Sequence, residues 1–216
     1  MPCISLVEIK NDLDHKIMQM QDESRLYYLF GPEYQTWKCS DDSYYSFITP
    51  MIIIDKIIEL SKEHFLGLDD KVIWDMFAGI GCDGLRFAKH TGKVIMTEVR
   101  PDTYQDLKQN TVASGLSNVE IYNRDCCTTD IPCNIIYFDP PWGDSFQSGE
   151  PFCFDNVLLP NGKPILELAK ELAKHHCLII KSPISSDSFE DLFPTQVTEV
   201  FTFTQQKLKF LFVTNP

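Results

Sequence analysis

The stretch Val72-Ile-Trp-Asp75-Met-Phe-Ala-Gly79-Ile-Gly81-Cys-Asp-Gly84 runs from a β-prone apolar segment through closely spaced glycines into a helical pattern. A strand that turns this way into a helix marks the first crossover of a doubly wound sheet, whose ligands sit at the carboxyl ends of the strands. Reading outward, β and α signals alternate. Strands are expected at Val72–Phe77, Val94–Thr97, Val119–Tyr122, Ile135–Phe138 and Leu178–Ile180, with helices at Cys82–His90, Pro101–Ser114 and Pro164–Lys174. Upstream, Thr49 is placed to cap a helix that opens on Pro50 and shows Ile53, Ile54, Ile57, Ile58 and Leu60 as an apolar face ending near Gly67. Downstream, Gln196–Phe203 and Lys207–Thr214 are separated by three residues and should pair as an antiparallel hairpin. The expected fold is α/β, a mostly parallel sheet with a C-terminal antiparallel hairpin.

The chain has 216 residues, 44% of them hydrophobic, enough for one sizeable core. No apolar run approaches the ~18 residues of a membrane span, and Met1–Lys10 lacks the layout of a signal peptide. The chain therefore reads as an intracellular protein, of nucleus or cytoplasm alike; its oligomeric state is left open, a monomer being favoured. Its eight cysteines form no CxxC pair and precede no histidine at ligand spacing, so reduced thiols and no metal are expected. A formal charge of −12 argues against non-specific coating of long nucleic acid. Residues 1–48 carry a different composition, with aromatics Tyr27, Tyr28, Phe30, Tyr34, Trp37, Tyr44, Tyr45 and Phe47. They read as a small helical and aromatic extension, a lid on a catalytic domain spanning 49–216.

The spacing Gly79-x-Gly81-x-x-Gly84 also fits a dinucleotide fingerprint. Asp75 ahead of the loop changes that reading, because a carboxylate there repels a pyrophosphate and suits a cationic amino group. Glu98 ends the second strand, where it can accept both hydroxyls of a ribose, and Asp125 follows the third, placed for an adenine amino group. Each acid alone could be a loop solvator or a helix cap; three at successive strand ends beside a glycine loop are harder to dismiss. The set resembles the S-adenosylmethionine site of class I methyltransferases, with a Rossmann-like sheet. That resemblance adds Thr49 and Phe77 to Asp75, Gly79, Gly81, Glu98 and Asp125 as cofactor-binding residues.

At the end of the fourth strand stands Asp139-Pro140-Pro141-Trp142-Gly143. It resembles the (D/N/S)PP(Y/F/W) motif of methyltransferases that modify planar amino groups. The lone pair of an exocyclic amine is delocalised into its ring, so the site must hold the amine's hydrogens with acceptors. Asp139 and the carbonyl of Pro140 can do so, the paired prolines stiffen the loop, and Trp142 can stack on the base. The alternative is a proline-terminated strand with Trp142 in the core. No strong general base is required, and none of the five histidines is needed; His175 and His176 fit a helix end.

Trp142 followed by Gly143, together with Thr49-Pro50 after Tyr44-Tyr45-Ser46-Phe47, resembles trimethylguanosine synthase, the methyltransferase of the 2-amino group of the RNA cap guanine. The resemblance implies 7-methylguanosine-capped RNA as substrate, its cationic base stacked on Trp142. Lys38 and Lys181 are candidates for the cap phosphates. Asp144 replaces a family glycine, and Lys181-Ser182-Pro183 stands where the family tends to bring an arginine. Alternatives are an amino methyltransferase of internal RNA guanine, of DNA or of protein glutamine, a non-catalytic cap- or cofactor-binding subunit, and an NAD-dependent oxidoreductase.

Overall fold

The computed structural model describes residues 22–41, 45, 47–141, 157–159, 162–183, 192–193, 196–205 and 207–214. Seven strands form one sheet: β1 (Val72–Asp75), β2 (Lys93–Glu98), β3 (Val119–Asn123), β4 (Ile135–Phe138), β5 (Cys177–Pro183), β6 (Val197–Phe203) and β7 (Leu208–Thr214). Their order is β3-β2-β1-β4-β5-β7-β6. The first five run parallel, while β7 pairs antiparallel with both β5 and β6. The order reverses between β1 and β4, which places a crevice at the carboxyl ends of those strands.

Side chains alternate across the sheet as a strand period of two requires. Ile73, Tyr137, Ile179 and Phe212 face α2 (Met51–His64) and α3 (Cys82–Ala88), whose Ile53, Ile54, Ile57, Leu85 and Phe87 complete that half of the core. Trp74, Ile136, Phe138 and Ile180 face the other way, onto Ile165, Leu166 and Ala169 of α5 (Ile165–Leu172). Covered on both faces, the central strands can be continuously apolar. α4 (Pro101–Ser114) begins with Pro101 and ends where Gly115 adopts a φ of 65°, the bounds expected from the sequence.

Several helix boundaries differ from expectation, with α3 ending at Ala88 instead of His90 and α5 beginning at Ile165 instead of Pro164. α2 starts at Met51, with Pro50 in extended conformation as its cap residue, because the Thr49 hydroxyl donates to Asp83 at 2.7 Å instead of capping. α5 stops at Leu172, so His175 and His176 lie in the turn beyond it.

The described part of the N-terminal segment consists of α1 (Asp22–Phe30), a short 3-10 turn and an extended run. Side chains of α4 grip that run as a neighbouring strand would. Asn110, 3% exposed, accepts from the Lys38 N–H at 2.6 Å and donates to the Lys38 carbonyl and to Ile80, each at 2.9 Å. Asp106 accepts from the Ser40 N–H and hydroxyl. Phe30 stacks on Trp37 at 5.4 Å. Among the described residues no helix is long and apolar enough to cross a membrane.

Candidate active site

A cleft of about 800 Å³ opens at the carboxyl ends of β1, β2 and β4. The N-terminal segment forms part of its wall through Tyr28, Tyr45, Phe47 and Thr49.

Three carboxylates and one ammonium meet in this cleft. Asp75, at the end of β1, is 1% exposed and its Oδ1 has no hydrogen-bond partner among the described residues. Asp83, in the first turn of α3, is 8% exposed; its Oδ2 accepts from the Thr49 hydroxyl at 2.7 Å and the Tyr137 hydroxyl at 2.6 Å, and its Oδ1 is likewise unpartnered. Buried carboxylate oxygens without donors are costly, and two of them beside one cleft suit a ligand that brings donors. Burial, then the neighbouring charges of Asp83 and Asp139, push the Asp75 carboxyl well above the ordinary carboxylate range.

Asp139 follows β4 and is held by Lys181 of β5, whose Nζ lies 2.6 Å from Oδ2 and also donates to the Phe47 carbonyl at 3.3 Å. Burial disfavours the charge on Lys181, yet Asp139 and Asp83 outweigh it and hold the ammonium above the usual lysine value. The expectation that Lys181 serves cap phosphates gives way to this geometry: it is 5% exposed and bonded inward. Lys38 does not line the cleft; its backbone is pinned to Asn110 while its side chain faces solvent.

Along the rest of the cleft, Glu98 accepts from the Gly79 N–H at 3.0 Å and the Arg100 N–H at 2.7 Å. Burial raises its carboxyl and those two N–H groups act against the rise. Asp125 accepts from the Cys127 N–H at 2.9 Å, capping a short turn. Its carboxylate and the Cys126 and Cys127 thiols lie within 4.8 Å of one another. Phe77 lines the cleft and meets Phe138 edge-on at 5.4 Å. Gly79 lines it too, whereas Gly81 does not. Gly81 adopts a φ of 93° as the residue before α3, and a Cβ there would come within 2.6 Å of Leu107, so its place is in packing and turning. Pro140 and Pro141 are on the cleft wall; Trp142, expected to stack on a base, lies outside the described residues.

Thr49, Asp75, Phe77, Gly79, Glu98, Asp125, Asp139, Pro140 and Lys181 thus share one cleft. Sequence reasoning missed Asp83 and Tyr137. Asp83 looked like a spacer between Gly81 and Gly84, and Tyr137 like core; the available signal was that Tyr137 stands two residues before Asp139, on the same side of β4.

The chain has the Rossmann-like fold of class I methyltransferases, to judge from sheet order, hairpin and the position of the cleft. Among solved structures, PH1948 of Pyrococcus horikoshii, only provisionally called an RNA methyltransferase, superposes with a TM-score of 0.56 at 14% identity over 89% of this chain and 98% of its own. An RNA methyltransferase of Salinibacter ruber, crystallised with S-adenosyl-L-homocysteine, gives 0.51 at 16% identity over 77% and 91%. In sequence, 125 residues are 34% identical to the uncharacterized protein L320 of Acanthamoeba polyphaga mimivirus, covering 54% of this chain and 47% of that one. A segment of 124 residues is 34% identical to the "Probable ribosomal RNA small subunit methyltransferase A" of Methanosphaera stadtmanae, covering 57% and 44%. The match thus spans just under half the length of each of these relatives. No family profile matches the chain.

Proposed function

We propose that this chain binds S-adenosylmethionine and methylates an exocyclic amine of a nucleobase in RNA, namely the 2-amino group of the 7-methylguanosine cap. The observation that carries the reading is the pair of unpartnered buried oxygens, Asp75 Oδ1 and Asp83 Oδ1, in the same cleft as Asp139 and Pro140. A cationic amino group supplies what those oxygens lack, and the methionine end of the cofactor carries one. Glu98 and Asp125 would hold the ribose and the adenine, and Phe77 would pack beside the adenosine. When bound, the cofactor supplies an electrophilic methyl group.

The residues of the chain orient the amine and receive its hydrogens. Asp139, held at Oδ2 by Lys181, and the Pro140 carbonyl would accept the amine hydrogens. Accepting both hydrogens localises the lone pair on nitrogen. The proton leaves as the methyl arrives, to the carboxylate or to water. Asp75, Asp83 and Asp139 crowd a single Lys181 in this part of the cleft, and such an acidic wall favours a cationic cofactor and a cationic base such as 7-methylguanine over neutral ones. The names of the Salinibacter and Methanosphaera proteins support RNA as the substrate class.

A second reading, methylation of an internal RNA base, is favoured by the likeness to a protein named for ribosomal RNA. The test is methyl transfer from radiolabelled S-adenosylmethionine to 7-methylguanosine-capped RNA, to GTP-capped RNA, to uncapped structured RNA and to duplex DNA. Label on the guanine 2-amino group of the 7-methylated cap, lost in Asp139→Ala, supports the cap reading. Label on an internal base sinks it and keeps the chemistry; no label on any of them, with cofactor binding intact, leaves a binding subunit.

A further inference from the structure

We propose that Lys181 is the positioning residue of this site, holding Asp139 ionised and oriented and tying it to the N-terminal segment through the Phe47 carbonyl. The inference rests on the methyl-transfer reading for its kinetic part and on geometry alone for its electrostatic part. Lys181 is 5% exposed, and its ammonium reaches two acceptors from two different parts of the chain, Asp139 Oδ2 at 2.6 Å and Phe47 O at 3.3 Å. Its backbone is fixed by β5, where Lys181 pairs with Phe210 of β7.

A buried ammonium at this point has no use as a surface solvator, and its desolvation is tolerated only because carboxylates surround it. The groups that face the Lys181–Asp139 pair come from every neighbouring element: Asp75 from β1, Cys82 and Asp83 from α3, and Tyr137 from β4. Asp75 and Asp83 are the acidic neighbours of this pair, and the Lys181 ammonium, 2.6 Å from Asp139 Oδ2, favours the ionised form of Asp139 against them. A protonated Asp139 would present a donor to one of the amine hydrogens it must accept. Lys181 also explains why Asp139 is an acceptor and not a strong base: an ammonium at 2.6 Å lowers its proton affinity. The bond to Phe47 ties the N-terminal segment to the same ammonium.

The experiment compares wild type with Lys181→Met and Lys181→Gln, the second retaining a donor without charge. Protein labelled with 13C at aspartate carboxyls is titrated by NMR, with the Asp139 resonance assigned through Asp139→Asn. In both variants the Asp139 midpoint should rise by at least one pH unit. With capped RNA and labelled cofactor, kcat should fall about 100-fold or more at pH 6 and recover partly toward pH 9, the acid limb moving with the NMR midpoint, while cofactor affinity stays within about threefold. An unchanged Asp139 titration overturns the proposal, as does a uniform loss of kcat with an unmoved acid limb. A wild-type protein that methylates no nucleobase while Asp139 shifts as expected overturns the functional reading and upholds Lys181 as the partner that keeps Asp139 ionised.

Discussion

Replacing Asp83 by Asn should separate stability from cofactor affinity, moving them in opposite directions. The amide oxygen can still accept from the Thr49 and Tyr137 hydroxyls, at 2.7 and 2.6 Å in the native protein, so the internal network survives. The unpartnered Oδ1 becomes an NH2, and the repulsion that Asp83 exerts on Asp75 disappears. The apo protein should therefore melt at the wild-type temperature or higher. A bound ammonium, by contrast, loses a charged acceptor and meets a donor. A hydrogen bond to a charged group contributes about 1.5–3 kcal/mol, so the dissociation constant should rise roughly 10- to 150-fold. Calorimetric titration with S-adenosylmethionine and S-adenosylhomocysteine, beside thermal denaturation, checks this. Both ligands carry the amino group and only the first carries the sulfonium, so equal losses assign Asp83 to the methionine ammonium. A change in affinity below threefold for both would refute the placement of the cofactor.

Burial and its acidic neighbours raise the Asp75 carboxyl, so between the ordinary carboxylate value and that raised value the folded apo protein holds a proton that the unfolded chain has lost. Apo stability should thus fall as pH climbs through that window, and cofactor binding there should release a proton and strengthen with pH, as calorimetry in buffers of different ionisation enthalpy would reveal; no linked proton would contradict the assignment. In Gly84→Ala the new Cβ would lie 2.5 Å from Met96 Sδ and 2.8 Å from Asp75 Oδ2, so about 1–3 kcal/mol of stability should be lost by denaturant titration, together with cofactor affinity. Retained affinity in that variant would mean that Asp75 does not touch the ligand.

The parts of this site that could be read from sequence are those whose position follows from strand ends. Asp75, Glu98 and Asp139 close β1, β2 and β4, and a parallel sheet brings all such ends to one edge, so their convergence follows from periodicity alone. Asp83, Tyr137 and Lys181 were illegible because their roles depend on which side chains meet across elements. Lys181 looked like a surface cation until the register placed it opposite Phe210, buried and 2.6 Å from Asp139. Thr49 was half legible: it stands at the head of α2 as expected, but its hydroxyl prefers a buried carboxylate to a helix N–H. Lys38 lies off the cleft wall, exposed and with its backbone held by Asn110, a placement that charge alone does not reveal.

The net charge carries its own consequence for an RNA substrate. At −12 the protein repels a polyanion at long range, yet three of its four arginines, Arg25, Arg100 and Arg124, line the cleft and attract phosphate locally. Screening removes the long-range part first, since the Debye length shrinks from about 30 Å at 0.01 M salt to about 8 Å at 0.15 M. Raising salt over that range should therefore leave kcat/KM for a long capped RNA unchanged or increase it, the reverse of the steep decline of proteins that track along phosphates. A cap dinucleotide, with little charge beyond the cleft, should respond less. If activity on the long RNA instead drops tenfold between about 50 and 200 mM salt, the protein holds its substrate through an extended basic track, and recognition confined to the cap and the cleft is the wrong picture.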